Sequence, residues 1–73
     1  MRMDVRKVIG LNARSVRIDK GLSQEQLAER MGIDRAYISG IERGLRNPTA
    51  TTIWHLARAL GIEPADLLQP PKK

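Results

Sequence analysis

The apolar positions of the chain recur with the period of an α-helix almost from end to end. Val5, Val8, Ile9, Ala13 and Val16 form the stripe of an amphipathic first helix that finishes near Gly21. Ser23 opens a second helix as its N-cap, with Gln26 three residues on in the capping-box position. Leu27, Ala28 and Met31 make its inward face, and Gly32 stops it. Asp34 caps a third helix whose inward residues are Ile38 and Ile41 and which ends at Gly44. After the turn signal Asn47-Pro48, Thr49 caps a fourth helix carrying Ile53, Leu56, Ala57 and Leu60, closed by Gly61. Glu63-Pro64 starts a short fifth helix anchored by Leu67 and Leu68, since proline is tolerated in a first turn. No segment shows strand alternation, and nothing repeats. The pattern predicts an all-α fold, five helices around one core, in a single domain over residues 1–69 with a flexible tail at 70–73.

The second and third helices are joined at Met31-Gly32-Ile33, a corner in which Gly32 permits a left-handed backbone and Ile33 fills the space beneath. Two short helices meeting at such a glycine-containing turn are a helix-turn-helix, here spanning residues 23–43. In that arrangement the first helix lies across a duplex backbone while the second enters the major groove. With Ile38 and Ile41 facing the core, Arg35, Ala36, Ser39, Gly40 and Arg43 fall on the other side of the third helix.

Charge permits this reading without requiring it. Thirteen Lys and Arg against eight Asp and Glu give a net charge of +5, and arginine, whose planar fork suits phosphates and guanine edges, dominates the basic set. The 73 residues make one small domain, and the lack of cysteine excludes disulfides and thiolate metal sites as stabilisers. No apolar run approaches the roughly 18 residues of a membrane span, and no signal-peptide stretch follows Met1. The expectation is a soluble, cytoplasmic protein without membrane association.

The stretch "LSQEQLAERMGIDRAYISGIERGLRNPTATTIWHLARALGIEPADLL" closely resembles the Cro/CI-type, or XRE, helix-turn-helix family, and the resemblance covers residues 5–68. It runs through "SQEQLA" in the second helix, "YISGIERG" in the third, "NPT" in the loop after it and "LARALGI" in the fourth. The resemblance implies a compact lambda-repressor-like domain that binds double-stranded DNA, usually as a dimer on an inverted repeat, in a bacterial or phage transcriptional regulator. Small members of this family include the controller proteins of restriction–modification systems.

Arg35 sits in the first turn of the third helix, where an arginine can make a bidentate contact to guanine, worth about 1–3 kcal/mol of discrimination. Ala36 either touches a thymine methyl or simply favours the helix; Ser39 shares the base-facing side. Gly40 departs from the family, in which a long polar or basic side chain is common at this position. Either the helix lies unusually close to DNA there or the position contributes nothing, leaving Arg35 as the one strong reader and much of the specificity to DNA shape. Gln24, in the first turn of the second helix, resembles the family's phosphate-contacting glutamine, the other reading being an ordinary exposed residue. Tyr37, Arg43, Arg46 and Asn47 flank the exit of the third helix as candidate phosphate contacts, Tyr37 also reading as a rim residue of the core. The family glutamate of "IERG" pairs with a first-helix arginine, which implies a structural ion pair between Glu42 and Arg17.

Other classes fit less well. His55 is the only histidine and has no motif partner, and there is no phosphate loop or HExxH, so no enzyme, metal or cofactor is expected. Trp54, Ile62, Leu67 and Leu68 offer apolar surface toward the C-terminus and are the expected homodimer interface, unless Trp54 covers the edge of the monomer's core. An antitoxin or protein-interaction module on the same fold is the alternative in another class. A chain this short has no room for a sensor domain, so no small-molecule effector is expected.

Overall fold

A computed structural model describes residues 4–70. The first three residues of the expected domain, and 71–73 of the expected tail, lie outside the described residues. The helices are α1 (Val5–Asp19), α2 (Gln24–Met31), α3 (Arg35–Glu42), α4 (Ala50–Leu60) and α5 (Pro64–Leu67). Among the described residues there is no strand, and no helix is long and apolar enough to cross a membrane.

The boundaries follow local chemistry. Ser23 Oγ accepts a hydrogen bond from the Gln26 amide at 3.0 Å, and Gln26 Oε1 accepts one from the Ser23 amide at 2.8 Å, a complete capping box. The Asp34 carboxylate accepts from the Ala36 amide at 3.0 Å, and Thr49 Oγ1 from the Thr52 amide at 3.1 Å. Asp4 does the same for α1, accepting from the Arg6 amide at 3.0 Å. Gly32 ends α2 with φ at +68°, a conformation that costs a residue with a Cβ but not glycine.

Ile9, Ala13, Leu27, Ala28, Ile38, Ile41, Leu56, Ala57, Leu60 and Leu67 form one buried cluster. α1 packs on α3, α4 and α5, while α2 packs on α3 and α4, so the corner of the helix-turn-helix rests on a scaffold made by the other three helices. Two expected apolar contributions differ. Val5 is exposed, because it is the first helical residue and projects beyond the packed turns; Leu68 is exposed at 46%, because α5 has already ended.

Two α1 residues carry more of the packing than their types suggest. Gly10 lies so close to α3 that a Cβ there would collide with the carbonyl oxygens of Ile41 and Glu42, the latter at 2.8 Å. Asn12 Nδ2 donates to the carbonyls of Leu67 at 2.8 Å and Gln69 at 2.7 Å, which holds the end of α5 against α1 and satisfies carbonyls that a four-residue helix leaves unpaired.

Candidate nucleic-acid interface

The corner at Gly32 fixes how α3 emerges from the core. With Ile38 and Ile41 buried, Arg35, Ala36 and Arg43 stand exposed on the outer side of α3 and Ser39 is half-buried beside them. Arg46 and Asn47, in the segment between α3 and α4, are exposed as well. The result is one surface with three exposed arginines, Arg35, Arg43 and Arg46.

One carboxylate of α3, that of Glu42, is neutralised inside the fold, while the exposed Asp34 carboxylate caps the Ala36 amide at the start of the helix. Glu42 is 8% exposed. Its Oε2 accepts from Arg17 Nε at 2.6 Å and its Oε1 from Arg17 Nη2 at 3.0 Å. Arg17 also donates from Nη1 to the Leu22 carbonyl at 2.8 Å, so both ends of the guanidinium are held. The hydrogen bonds to Glu42 raise the Arg17 pKa above its ordinary value, outweighing the opposing effect of burial.

The ion pair reaches the surface through Gln24. Its Nε2 donates to Glu42 Oε1 at 3.0 Å, and its Oε1 accepts from Arg35 Nη1 at 3.1 Å. A carboxylate only accepts and a guanidinium only donates, so the Gln24 amide has one satisfactory orientation. Gln24 is half-buried and therefore acts within the protein as the link between Glu42 and Arg35, a role its exposed-looking sequence context did not suggest. One of its amide hydrogens remains for an outside acceptor.

Gly40 requires a correction. Helical spacing places it on the outer side of α3 with Ala36 and Arg43, but it is buried. The Arg46 side chain lies over it, close enough that a Cβ at position 40 would stand 2.8 Å from Arg46 Cγ. A base edge approaching α3 at this point meets Arg46 and not Gly40. The Arg46 guanidinium continues over the Tyr37 ring, 5.2 Å from its centroid. Tyr37 is half-buried and packs on the core cluster, as a rim residue does.

Leu67 requires another. It has no exposed surface, because the short α5 turns it into the core under the Asn12 clamp, so it is not available to a second subunit. Trp54 stands out at 55% exposure, while Ile62 is half-buried against the core.

Among the described residues no group of His, Cys, Asp and Glu is arranged to hold a metal ion. A shallow cleft lined by Arg30, Met31, His55, Arg58 and Ala59 is open to solvent; there Arg30 Nη1 donates to the Ala59 carbonyl at 3.1 Å.

The helix-turn-helix family model HTH_3 matches residues 14–67, which include α2, the corner and α3. The chain belongs to this helix-turn-helix family. An uncharacterised HTH-type transcriptional regulator of Sinorhizobium fredii is 46% identical over 68 residues, 93% of this chain and 88% of that protein. The crystal structure of the restriction-modification controller protein C.AhdI from Aeromonas hydrophila superposes with a TM-score of 0.81 at 48% identity, covering 85% of this chain and 94% of that one. The controller protein C.Esp1396I, solved as a tetramer in complex with its 35 base-pair operator, superposes with a TM-score of 0.80 at 30% identity, covering 90% of this chain and 87% of that one. The fold and family expected from "SQEQLA", "YISGIERG" and "LARALGI" are therefore those found. In this helix-turn-helix protein, Arg35 and Ala36 of α3 are exposed.

Proposed function

We propose that this protein is a small transcriptional regulator that binds double-stranded DNA sequence-specifically, as a homodimer on an inverted repeat, with α3 in the major groove. The observation that carries the reading is the exposed set of Arg35 and Ala36 on α3 and Arg43 at its end, beside Glu42, whose carboxylate is buried and paired with Arg17. Arg35, Arg43 and Arg46 thus face the place where a duplex would lie without opposition from Glu42. Arg35 reads a guanine, held at the groove edge by Gln24. Ala36 and Ser39 complete the base-facing side, and Gln24, Tyr37, Arg43 and Asn47 supply phosphate contacts. Trp54 and Leu68 provide the exposed apolar surface for the second subunit, with Ile62 at its border.

Within that function, a controller protein of a restriction–modification system is the subtype best supported. The similarity to such controllers extends over most of both chains. The reading is of a cytoplasmic DNA-binding protein and not of an enzyme.

Selection from a random duplex-DNA pool, run with the wild type and Arg35→Ala at two salt concentrations, tests it. An enriched inverted repeat with half-sites about one helical turn apart is expected, with the half-site guanine preference lost in the variant. Salt-sensitive binding without enrichment would reduce the function to phosphate contacts. Absence of binding at both salts would favour a protein-interaction module on the same fold.

A further inference from the structure

Gly40 sits between Ala36 and Arg43 on the outer side of α3, and the Arg46 side chain is what covers it. A Cβ at position 40 would stand 2.8 Å from Cγ, 3.2 Å from Nε and 3.5 Å from Cδ of Arg46. All three atoms belong to the arginine's stem and its first nitrogen, so the stem lies flat on bare helix backbone. Its root is fixed by the end of α3. The Leu45 amide donates to the Gly40 carbonyl at 2.9 Å and the Gly44 amide to the Ile41 carbonyl at 3.0 Å. Gly44, at φ +75°, turns the chain back along the helix it has just left. The tip is fixed by the Tyr37 ring, itself anchored on the core.

We propose that Gly40 and Tyr37 are positioning residues that lay Arg46 across the groove-facing side of α3, where its guanidinium reads a base as the second strong reader beside Arg35. This rests on the DNA-binding reading above. The chemistry is specific to this arrangement. Holding the guanidinium carbon over the Tyr37 ring, 5.2 Å from its centroid, uses none of its N–H donors, and these are the groups that make bidentate contacts to guanine. The stem is already confined between helix and ring, so less side-chain freedom is lost on binding than for an arginine projecting from α3 into water. A helix position without a side chain is thus filled by a side chain from the following loop.

Gly40→Ala is the informative variant, because alanine favours helix and the three atoms nearest its Cβ are on a side chain that can swing away. The protein should keep its helicity and melting temperature. In the wild type, the Arg46 side-chain protons should show the upfield NMR shift of protons held over an aromatic ring, and Gly40→Ala should abolish it. On the duplex selected by the wild type, Gly40→Ala and Arg46→Ala should each lose about tenfold or more in preference over a single-base variant, the scale of one base contact. Both should lose it at the same base pair, and the double variant should be no worse than Arg46→Ala. Tyr37→Phe keeps the ring and should keep the preference, its lost hydroxyl weakening binding to all sequences alike.

Equal, position-independent weakening by Arg46→Ala would make Arg46 a phosphate contact and overturn the proposal. So would additive effects of the two substitutions, or an absent ring shift in the wild type. If the wild type selects no sequence at all, the DNA-binding reading fails and this proposal with it. A selected motif that is indifferent to Gly40→Ala sinks this proposal alone.

Discussion

Glu42 on α3 is gripped by Arg17 on α1 through two parallel hydrogen bonds, Nε to Oε2 at 2.6 Å and Nη2 to Oε1 at 3.0 Å. The pair joins the recognition helix to the first helix and is almost wholly removed from water. Its side chains are 11% and 2% exposed. In water such a contact would stabilise little; here each charge depends on the other, because neither has been left enough solvent to stand alone.

Glu42→Ala should therefore cost about 3–5 kcal/mol of folding stability, and Arg17→Ala a similar amount, the range for breaking a buried pair from one side. Urea denaturation of both variants and of the double variant checks this. A double variant less damaged than the sum of the two singles is expected. Single losses below about 1 kcal/mol, the exposed-pair range, would mean that the pair is not sustained in solution.

Gly10→Ala tests the approach of α1 to α3. In an open helix this change would be favourable by about 1 kcal/mol. Here the new methyl group meets backbone carbonyls of α3, which cannot rotate out of the way, and overpacking of this kind costs about 1–3 kcal/mol. A lowered urea midpoint with native helicity is the expected result; a raised midpoint would show that α1 and α3 stand further apart.

Arg35→Ala should leave stability nearly unchanged, since Arg35 is exposed and its one side-chain hydrogen bond is to Gln24. Its effect should appear in DNA binding, as about 1–3 kcal/mol of lost discrimination at one base pair of each half-site. Titration against duplexes differing at single positions measures it. Undiminished discrimination at every position would remove Arg35 from the reader's role.

Trp54→Ala should weaken self-association by about 2 kcal/mol, the scale of a central aromatic residue in an interface. Sedimentation of the wild type and the variant over the micromolar range gives the comparison. If the wild type sediments only as a monomer, the expectation of a palindromic site goes with the dimer.

Asp4 gives a small, signed dependence on pH. Hydrogen bonds from the Arg6 side chain and backbone hold its carboxyl below the ordinary value of 3.8, so its contribution to folding is present above that value and lost as pH falls through the lower folded one. Asp4→Asn keeps a capping side chain but removes the charge. The variant should be slightly less stable at neutral pH and converge with the wild type in strong acid. Parallel melting curves across that whole range would refute the role.

Period and punctuation determined the helices. The stripe positions, the caps at Ser23, Asp34 and Thr49 and the glycine stops are local chemistry, readable wherever they occur, and the resemblance in "YISGIERG" assigned Glu42 its partner in Arg17. Arg35 was legible too, because an exposed first-turn residue depends only on the helix it begins. What the tertiary structure alone decided were the contacts between residues distant in sequence or on different elements. The Cβ that Gly10 lacks matters only because α3 passes there, although a glycine inside an apolar stripe was the available signal. Asn12 is a clamp only because α5 ends above it. Leu67 and Leu68 are adjacent and chemically identical, yet the direction in which α5 meets the core buries one and exposes the other. Gly40 lies on the outer face as its spacing requires, but the return of the chain after Gly44 brings Arg46 over it. Side-chain periodicity states which way a residue points; what arrives from elsewhere to cover it is settled by how the helices pack.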